Sequence, residues 1–352
     1  MTAPLQNISI NGRNIGPCHP PYIIAELSAN HNGNIERAFA IMRASKEAGA
    51  DAVKLQTYSA DTMTIDHDGP GFKIESGLWK GRSLYDLYQE AGTPWNWHAP
   101  LFAYGKELGI TVFSTPFDSS AVAFLEEHNV PAYKVASFEL LDLPLIRTIA
   151  ATGKPIIMST GMADRVEIEE AVETARSGGC KELVVLHCVS AYPATPEDSN
   201  LKMIADLASN LNCIVGLSDH TLGVVTSIAG VALGANVIEK HVTLKRSDGG
   251  PDSAFSLEPH ELSILCKEAH TAWLAIGKVD YKRGTSEEDM LILRRSLYAV
   301  EDIPKGAALN DKNIRAIRPG YGLPPKHFPN ILGKKAISLI RRGTPLSFDL
   351  FD

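Results

Sequence analysis

Eight short apolar, β-branched runs recur along this chain, and most are separated by a segment with helical spacing. They begin at Tyr22 (YIIAELSAN), Ala52 (AVKLQTY), Thr111 (TVFSTPF), Ala132 (AYKVASF), Pro155 (PIIMSTG), Leu183 (LVVLHCV), Ile214 (IVGLSDH) and Val237 (VIEKHVT). In SKEAGA, YGKELGI and VALGANV a helix end meets a glycine just before the next run. Glycine suits the left-handed turn that stops a helix. Strand–helix alternation of this kind predicts a parallel sheet. Eight repeats in about 250 residues suit a closed (β/α)8 TIM barrel better than an open sheet.

Two other stretches break the pattern. Ser59 to Trp97 is a long insertion after the second run, dense in aromatic, Gly and Asp residues. Loops at that end of a barrel build active sites. Tyr281 to Asp289 (YKRGTSEED) is polar and reads as a linker. Beyond it, Ile303, Lys305, Gly306 and Leu309 are echoed by Ile340, Arg342, Gly343 and Leu346. The repeat predicts a small pseudo-symmetric β-rich domain. The expected bounds are 1–280 for the barrel, 281–293 for the linker and 294–352 for the small domain.

The formal net charge of -7 argues against nucleic acid and anionic membrane as partners, since both need a basic face. A small anion in a local cationic pocket stays open. The cysteines Cys18, Cys180, Cys188, Cys213 and Cys266 are odd in number, scattered and without a C-x-x-C. They read as buried free thiols of a reducing compartment. The opening MTAPLQNISING lacks the basic and apolar regions of a leader. The weakly polar stretch Val224 to Ile238 is broken by Gly230, Gly234 and Asn236, so no bilayer span is expected. These features point to the cytoplasm.

The last run, VIEKHVTL, carries Glu239, Lys240 and His241 in a row. A buried strand bears such groups only with partners, since each is costly to desolvate. The other runs also end in polar residues: Glu26, Ser28, Asn30 and His31; Lys54 and Gln56; Ser114, Thr115 and Asp118; Lys134, Ser137 and Glu139. Then come Ser159 and Thr160; His187, Ser190 and Tyr192; Ser218, Asp219 and His220. In a (β/α)8 barrel the C-terminal strand ends face the active site.

His220 and His241 close the last two strands. Neighbouring strands lie about 4.8 Å apart, so the two imidazoles could hold one Mn, Co, Zn or Fe ion. Asp219 and Glu239 could be supporting partners or helix caps. Lys54 and Lys134 lie in apolar strands, where a bound phosphate or carboxylate would compensate them. A salt bridge to a neighbouring strand, or a Schiff base, are the other readings. By alternation, His241 should face the site and Lys240 the layer between barrel and helices.

The motifs AELSANHNG, VKLQTY, FSTPFD, YKVASFE, STGMA, LHCVSAYPATP, GLSDHT and EKHVTL…GGPDSAFSL resemble the sialic acid synthase family, the phosphoenolpyruvate-dependent nonulosonate synthases. The resemblance covers nearly the whole chain. In the tail, IRPGYGLPP and GKKAISLIRRGTPL look like the family's antifreeze-like (SAF) domain. It implies condensation of phosphoenolpyruvate, an acetamido sugar aldehyde and water to a nine-carbon 2-keto acid and phosphate. Lys54, Thr115, Lys134, Ser137, Ser159, Ser190 and Ser218 would bind phosphoenolpyruvate. Gln56, Tyr192, Asp252 and Arg318 would contact the sugar, Arg318 from the partner of a domain-swapped homodimer. Glu26 and Glu139 are the candidates for proton transfer. A divalent ion, Mn2+ foremost with Co2+ or Mg2+ as alternatives, would sit on His220 and His241.

Ser190 stands where sialic acid synthases commonly carry Asn. With the insertion GLWKGRSLYDLYQEAGTPWNWH, which resembles one branch of the family, it implies 2,4-diacetamido-2,4,6-trideoxy-L-altrose as acceptor. N-acetylmannosamine and the legionaminic precursor are the alternatives. A metal-free Schiff-base aldolase and a non-catalytic sugar- or ice-binding protein are the remote rivals.

Overall fold

The structure, a computed structural model, describes residues 7–352 and divides into two compact units, one ending at Gly277 and one running from Lys278 to Asp352. The stretch read for a leader lies partly outside the described residues. A hairpin comes first, β1 (Ile8–Ile10) and β2 (Arg13–Ile15). The barrel strands follow: β3 (Tyr22–Glu26), β4 (Ala52–Thr57), β5 (Thr111–Pro116), β6 (Tyr133–Val135), β7 (Ile156–Ser159), β8 (Leu183–Cys188), β9 (Ile214–Ser218) and β10 (Val237–His241). All eight are parallel in sequence order, and β10 pairs with β3 to close the barrel. The fold is therefore the TIM barrel that the alternation predicts.

Each strand is buried on both faces. Ile24, Ala52, Phe113, Ile157, Leu186 and Val237 point inward and form one core. Ile23, Val53, Val112, Met158, Val185 and Ile238 point outward into a second core under the helices. Inside, space is short. A Cβ on Gly216 would come within 2.3 Å of the Val237 carbonyl oxygen, so only glycine fits there. Ile8, Ile10 and Ile15 of the hairpin join the inner core. The Ile-x-Ile alternation before Asn11-Gly12 was the signal for this hairpin, which the strand-by-strand reading passed over.

Helices between the strands are locally encoded. Asn34 caps Ile35–Ala48, accepting from the Glu36 amide, and Gly49 ends that helix at φ 98°. Asp118 caps Ser119–Glu127 through the Ser120 and Ala121 amides. Asp118 was expected among the residues facing the site; it is a cap instead. No helix among the described residues is long and apolar enough to cross a membrane. Of the cysteines expected to be buried, Cys180, Cys188 and Cys213 are, whereas Cys18 is exposed and Cys266 half-buried; all are free.

In the second unit, residues 285–293 are helical, and β11 (Ser296–Ala299) pairs antiparallel with β12 (Ile314–Ile317). The sequence repeat has a structural counterpart. Ile303 and Ile340 exchange backbone hydrogen bonds of 2.8 and 2.9 Å. Both share one core with Leu309 and Leu346.

Candidate active site

Two residues beyond the inner apolar layer, each strand changes character while keeping its inward parity. The positions are Glu26, Lys54, Thr115, Lys134, Ser159, Cys188, Ser218 and Glu239, all buried. At their centre the Lys54 ammonium lies 2.9 Å from Glu26 Oε2 and 3.3 Å from Glu239 Oε1, and donates to Thr115 Oγ1 at 3.1 Å. Ser218 donates to Glu239 at 3.3 Å. Burial opposes the Lys54 charge, but Glu239 and Glu26 outweigh it and raise its pKa. Glu239 is held low despite burial, by Lys54, Lys134 and His220. For Glu26 burial wins, and its pKa rises to about 7. One ammonium cannot satisfy two carboxylates equally. Of the readings open for Lys54, the salt bridge is present, made to two strand carboxylates.

Lys134 differs. It makes no ion pair among the described residues, and its ammonium donates to the Val135 carbonyl at 2.8 Å. Burial pulls its pKa down to about 8. It lines a cavity of about 520 Å³ together with Ser137, Ser159, Ser190 and Glu139. The Ser137 and Ser190 hydroxyls lie 2.8 Å apart, while the buried Ser159 Oγ has no partner among the described residues. A Cβ on Gly161 (φ 52°) would stand 2.3 Å from Ser137 Cβ, so glycine lets the STGMA turn lie against this serine pair. Burial lifts Glu139 to about 7, and its buried Oε2 is unpartnered. A cation without an ion pair among the described residues, in a cavity also lined by serine hydroxyls, suits a phosphate or carboxylate.

His220 and His241 face the same cavity with ring centroids 5.4 Å apart. His220 Nδ1–H donates to the Val189 carbonyl at 2.9 Å, so in the neutral ring Nε2 carries the lone pair that a metal would take. His241 Nδ1 is buried and unpartnered, 3.8 Å from Asp252 Oδ2. Burial, then His220, pushes His241 well below its ordinary pKa. These donors fit a divalent ion. Among the described residues no group of three His, Cys, Asp or Glu side chains gathers to hold one, so substrate and water would complete the shell.

Aromatic side chains also line the cavity. Tyr192 packs on His220 with centroids 4.4 Å apart and on Trp79 at 5.5 Å. Trp79, from the insertion, donates its indole N–H to the Pro251 carbonyl at 2.8 Å. Leu78, Leu87 and Tyr88 of the insertion also line the cavity. Beside them Gln56 donates to Glu26 Oε1 and to Ser28 Oγ, each at 3.1 Å, and Ser28 donates to Asp252.

The structure thus gathers Lys54, Gln56, Lys134, Ser137, Glu139, Ser159, Ser190, Tyr192, Ser218, His220, His241 and Asp252 around one cavity. Glu26 and Thr115 lie behind Lys54. Arg318 is exposed after β12 in the second unit. Several other strand-end residues do not face the site. Ser114 bonds Thr57, Asn30 bonds Ser256, and the His187 ring bonds the Ser199 carbonyl. Thr160 accepts from the Cys188 amide, and His31 packs on Trp97. Asp219 pairs with Lys240 at 2.9 Å and accepts from Ser227 on the covering helix, so Lys240 points outward as alternation requires. Two contributors were missed: Glu239 as a Lys54 partner, and Cys188, which lines the cavity. The inward parity of both could have been read by counting two residues back from His241 and from Ser190.

The chain matches the NeuB family over residues 41–281 and the SAF domain over residues 294–352. It is 43% identical over 331 residues to a pseudaminic acid synthase of Helicobacter pylori, covering 94% of this chain and 97% of the relative. It is 34% identical over 349 residues to an N,N'-diacetyllegionaminic acid synthase of Legionella pneumophila, covering 97% and 98%. Among solved structures, an N-acetylneuraminic acid synthetase from Leptospira borgpetersenii superposes with a TM-score of 0.74 at 30% identity, covering 83% of this chain and 97% of that one.

Proposed function

This chain belongs to the NeuB family, and from that membership we propose that it is a pseudaminic acid synthase. It condenses phosphoenolpyruvate with 2,4-diacetamido-2,4,6-trideoxy-L-altrose and water, giving pseudaminic acid and phosphate. The observation that carries the reading is one cavity lined both by Lys134, without an ion pair among the described residues, beside Ser137, Ser159 and Ser190, and by aromatic and apolar residues of the insertion. The first suits an enol phosphate; the second suits a sugar with methyl-bearing acetamido and deoxy groups.

In this reading Lys134, Lys54 and the hydroxyls hold the phosphate and carboxylate of phosphoenolpyruvate. Gln56, Tyr192 and Asp252 orient the sugar so that its aldehyde carbon faces carbon 3. The C–C bond forms there, and the aldehyde oxygen takes a proton. Water adds at carbon 2 and gives up a proton. The bond from carbon 2 to the phosphate oxygen then breaks, the new hydroxyl at carbon 2 passes its proton to the departing phosphate, and the 2-keto group is left. Glu26 and Glu139, both lifted to about 7, can hold or release these protons near neutrality. A divalent ion, Mn2+ foremost, on His220 and His241 would act as a Lewis acid toward the aldehyde oxygen. We place the reaction in the cytoplasm, in a domain-swapped homodimer.

A second reading has one observation in its favour. The depressed pKa of Lys134, about 8, also suits a Schiff-base amine. Borohydride reduction with substrate would trap that adduct and should trap nothing here. The direct test is phosphate release with the diacetamido-altrose, N-acetylmannosamine and the legionaminic precursor. Fastest turnover is expected with the first; faster turnover of another would reassign the acceptor.

A further inference from the structure

Six residues other than glycine have positive φ among the described residues: Asn11, Asn32, Asn129, Asn200, Asn212 and Ser28. The five asparagines are exposed and belong to the type that tolerates the left-handed region. Ser28 is the exception, at φ 47° and 3% exposed. Glycine would sit there without strain. A buried serine held against its backbone preference points to a task for the hydroxyl.

The hydroxyl has two partners. It accepts from Gln56 Nε2 at 3.1 Å and donates to Asp252 Oδ2. Gln56 spends its other N–H on Glu26, also at 3.1 Å. Both amide donors are then used, and the Gln56 carbonyl oxygen is what remains to be offered. Asp252, in a turn far along the chain, is drawn to the same point. A side chain that only donated or only accepted could not link these two, because a glutamine N–H and a carboxylate need a relay that does both.

We propose that Ser28 is a positioning residue that sets the polarity of the acceptor-sugar subsite. It makes Gln56 and Asp252 a fixed pair of acceptors for a donor on the sugar, such as an acetamido N–H. The inference rests on the reading of this cavity wall as the sugar's. Without the hydroxyl, the Gln56 amide can turn and Asp252 loses its tether. The phosphoenolpyruvate groups, around Lys134, are untouched.

The experiment compares wild type with Ser28→Ala and Ser28→Gly in steady-state phosphate release, varying each substrate in turn, with thermal unfolding alongside. Loss of one such hydrogen bond should raise the acceptor KM by about tenfold, and the phosphoenolpyruvate KM should stay within about twofold, below the effect of losing even one hydrogen bond. Ser28→Gly, freed of strain, should unfold no earlier than Ser28→Ala. Unchanged acceptor KM in both variants, or an equal rise for both substrates, would overturn the proposal. If wild type ignores the diacetamido-altrose but uses another sugar, the acceptor assignment fails. The same KM comparison with that other sugar then decides the role of Ser28.

Discussion

The Lys54 ammonium lies 2.9 Å from the Glu26 carboxylate across the β3–β4 pair, and both side chains are almost wholly buried. Lys134, two strands further around the barrel on β6, has no such partner among the described residues. The two lysines should therefore answer the same substitution oppositely. Lys54→Met leaves Glu26 and Glu239 facing each other without a cation and should destabilise the fold by about 3–5 kcal/mol. Lys134→Met removes a buried cation whose pKa has fallen to about 8. A lowered lysine pKa means the folded state disfavours the charge. That stability cost is full below pH 8 and disappears as pH rises towards the unfolded pKa. At pH 7, Lys134→Met should thus match or exceed wild type, by at most about 3 kcal/mol. Denaturant unfolding checks both. Phosphoenolpyruvate should raise the Tm of wild type and not of Lys134→Met; an equal rise in both would remove Lys134 from the substrate site.

Glu139 predicts a pH effect. Burial lifts its pKa from 4.5 to about 7, so the folded state holds a proton that the unfolded chain loses earlier. Its contribution to stability is present below about pH 4.5 and is lost as pH rises to about 7. Glu139→Gln should therefore be relatively more stable at pH 8 than at pH 5, by roughly 1–2 kcal/mol after allowance for partial exposure. If Glu139 moves a proton, the inflection near pH 7 in kcat/KM should vanish in the variant. A profile that keeps that inflection would assign it to another group.

Removal of divalent ions should abolish turnover, with Mn2+ or Co2+ restoring it. Isothermal titration should give one Mn2+ site in wild type and none in His220→Ala or His241→Ala. Undiminished activity in excess chelator, together with no Mn2+ binding, would sink the two-histidine site.

The Trp79–Tyr192 contact, 5.5 Å between centroids, and the Trp79 hydrogen bond to Pro251 tie the insertion to the cavity wall. Trp79→Ala should raise the acceptor KM by about tenfold, the loss of one aromatic pair and one hydrogen bond. Most of the folding stability should stay, because the insertion lies outside the barrel core. An unchanged acceptor KM would take the insertion out of sugar selection.

We propose that Arg318 of one copy serves the barrel of another, since a guanidinium fork can hold an amide carbonyl without an opposite charge. Arg318→Ala should be stable and poorly active. Co-refolding it with His220→Ala should restore part of the activity, because one hybrid site has both residues intact. Heterodimers without activity would rule out the arrangement in trans.

The barrel was legible in the sequence because each strand–helix unit is locally encoded: apolar strand, capped helix, glycine stop. The approach of His220 and His241 was legible too, because successive strands in such a barrel are neighbours. The repeat pairing Ile303 with Ile340 could be seen from spacing alone. Which strand-end residues face the cavity was another matter. Strands buried on both faces show no alternation of polar and apolar residues, so Ser114, His187 and Asp219 looked as site-like as Thr115, Ser190 and Ser218. Closure of β10 against β3 is what brings Glu239 and Glu26, from the last and first strands, onto Lys54. The left-handed backbone of Ser28 belongs to the same class. Its φ follows from long-range contacts to Gln56 and Asp252, and those exist only once the chain has folded. Local sequence encodes the elements, whereas the charge balance of a buried site is a sum over residues that tertiary structure alone makes neighbours.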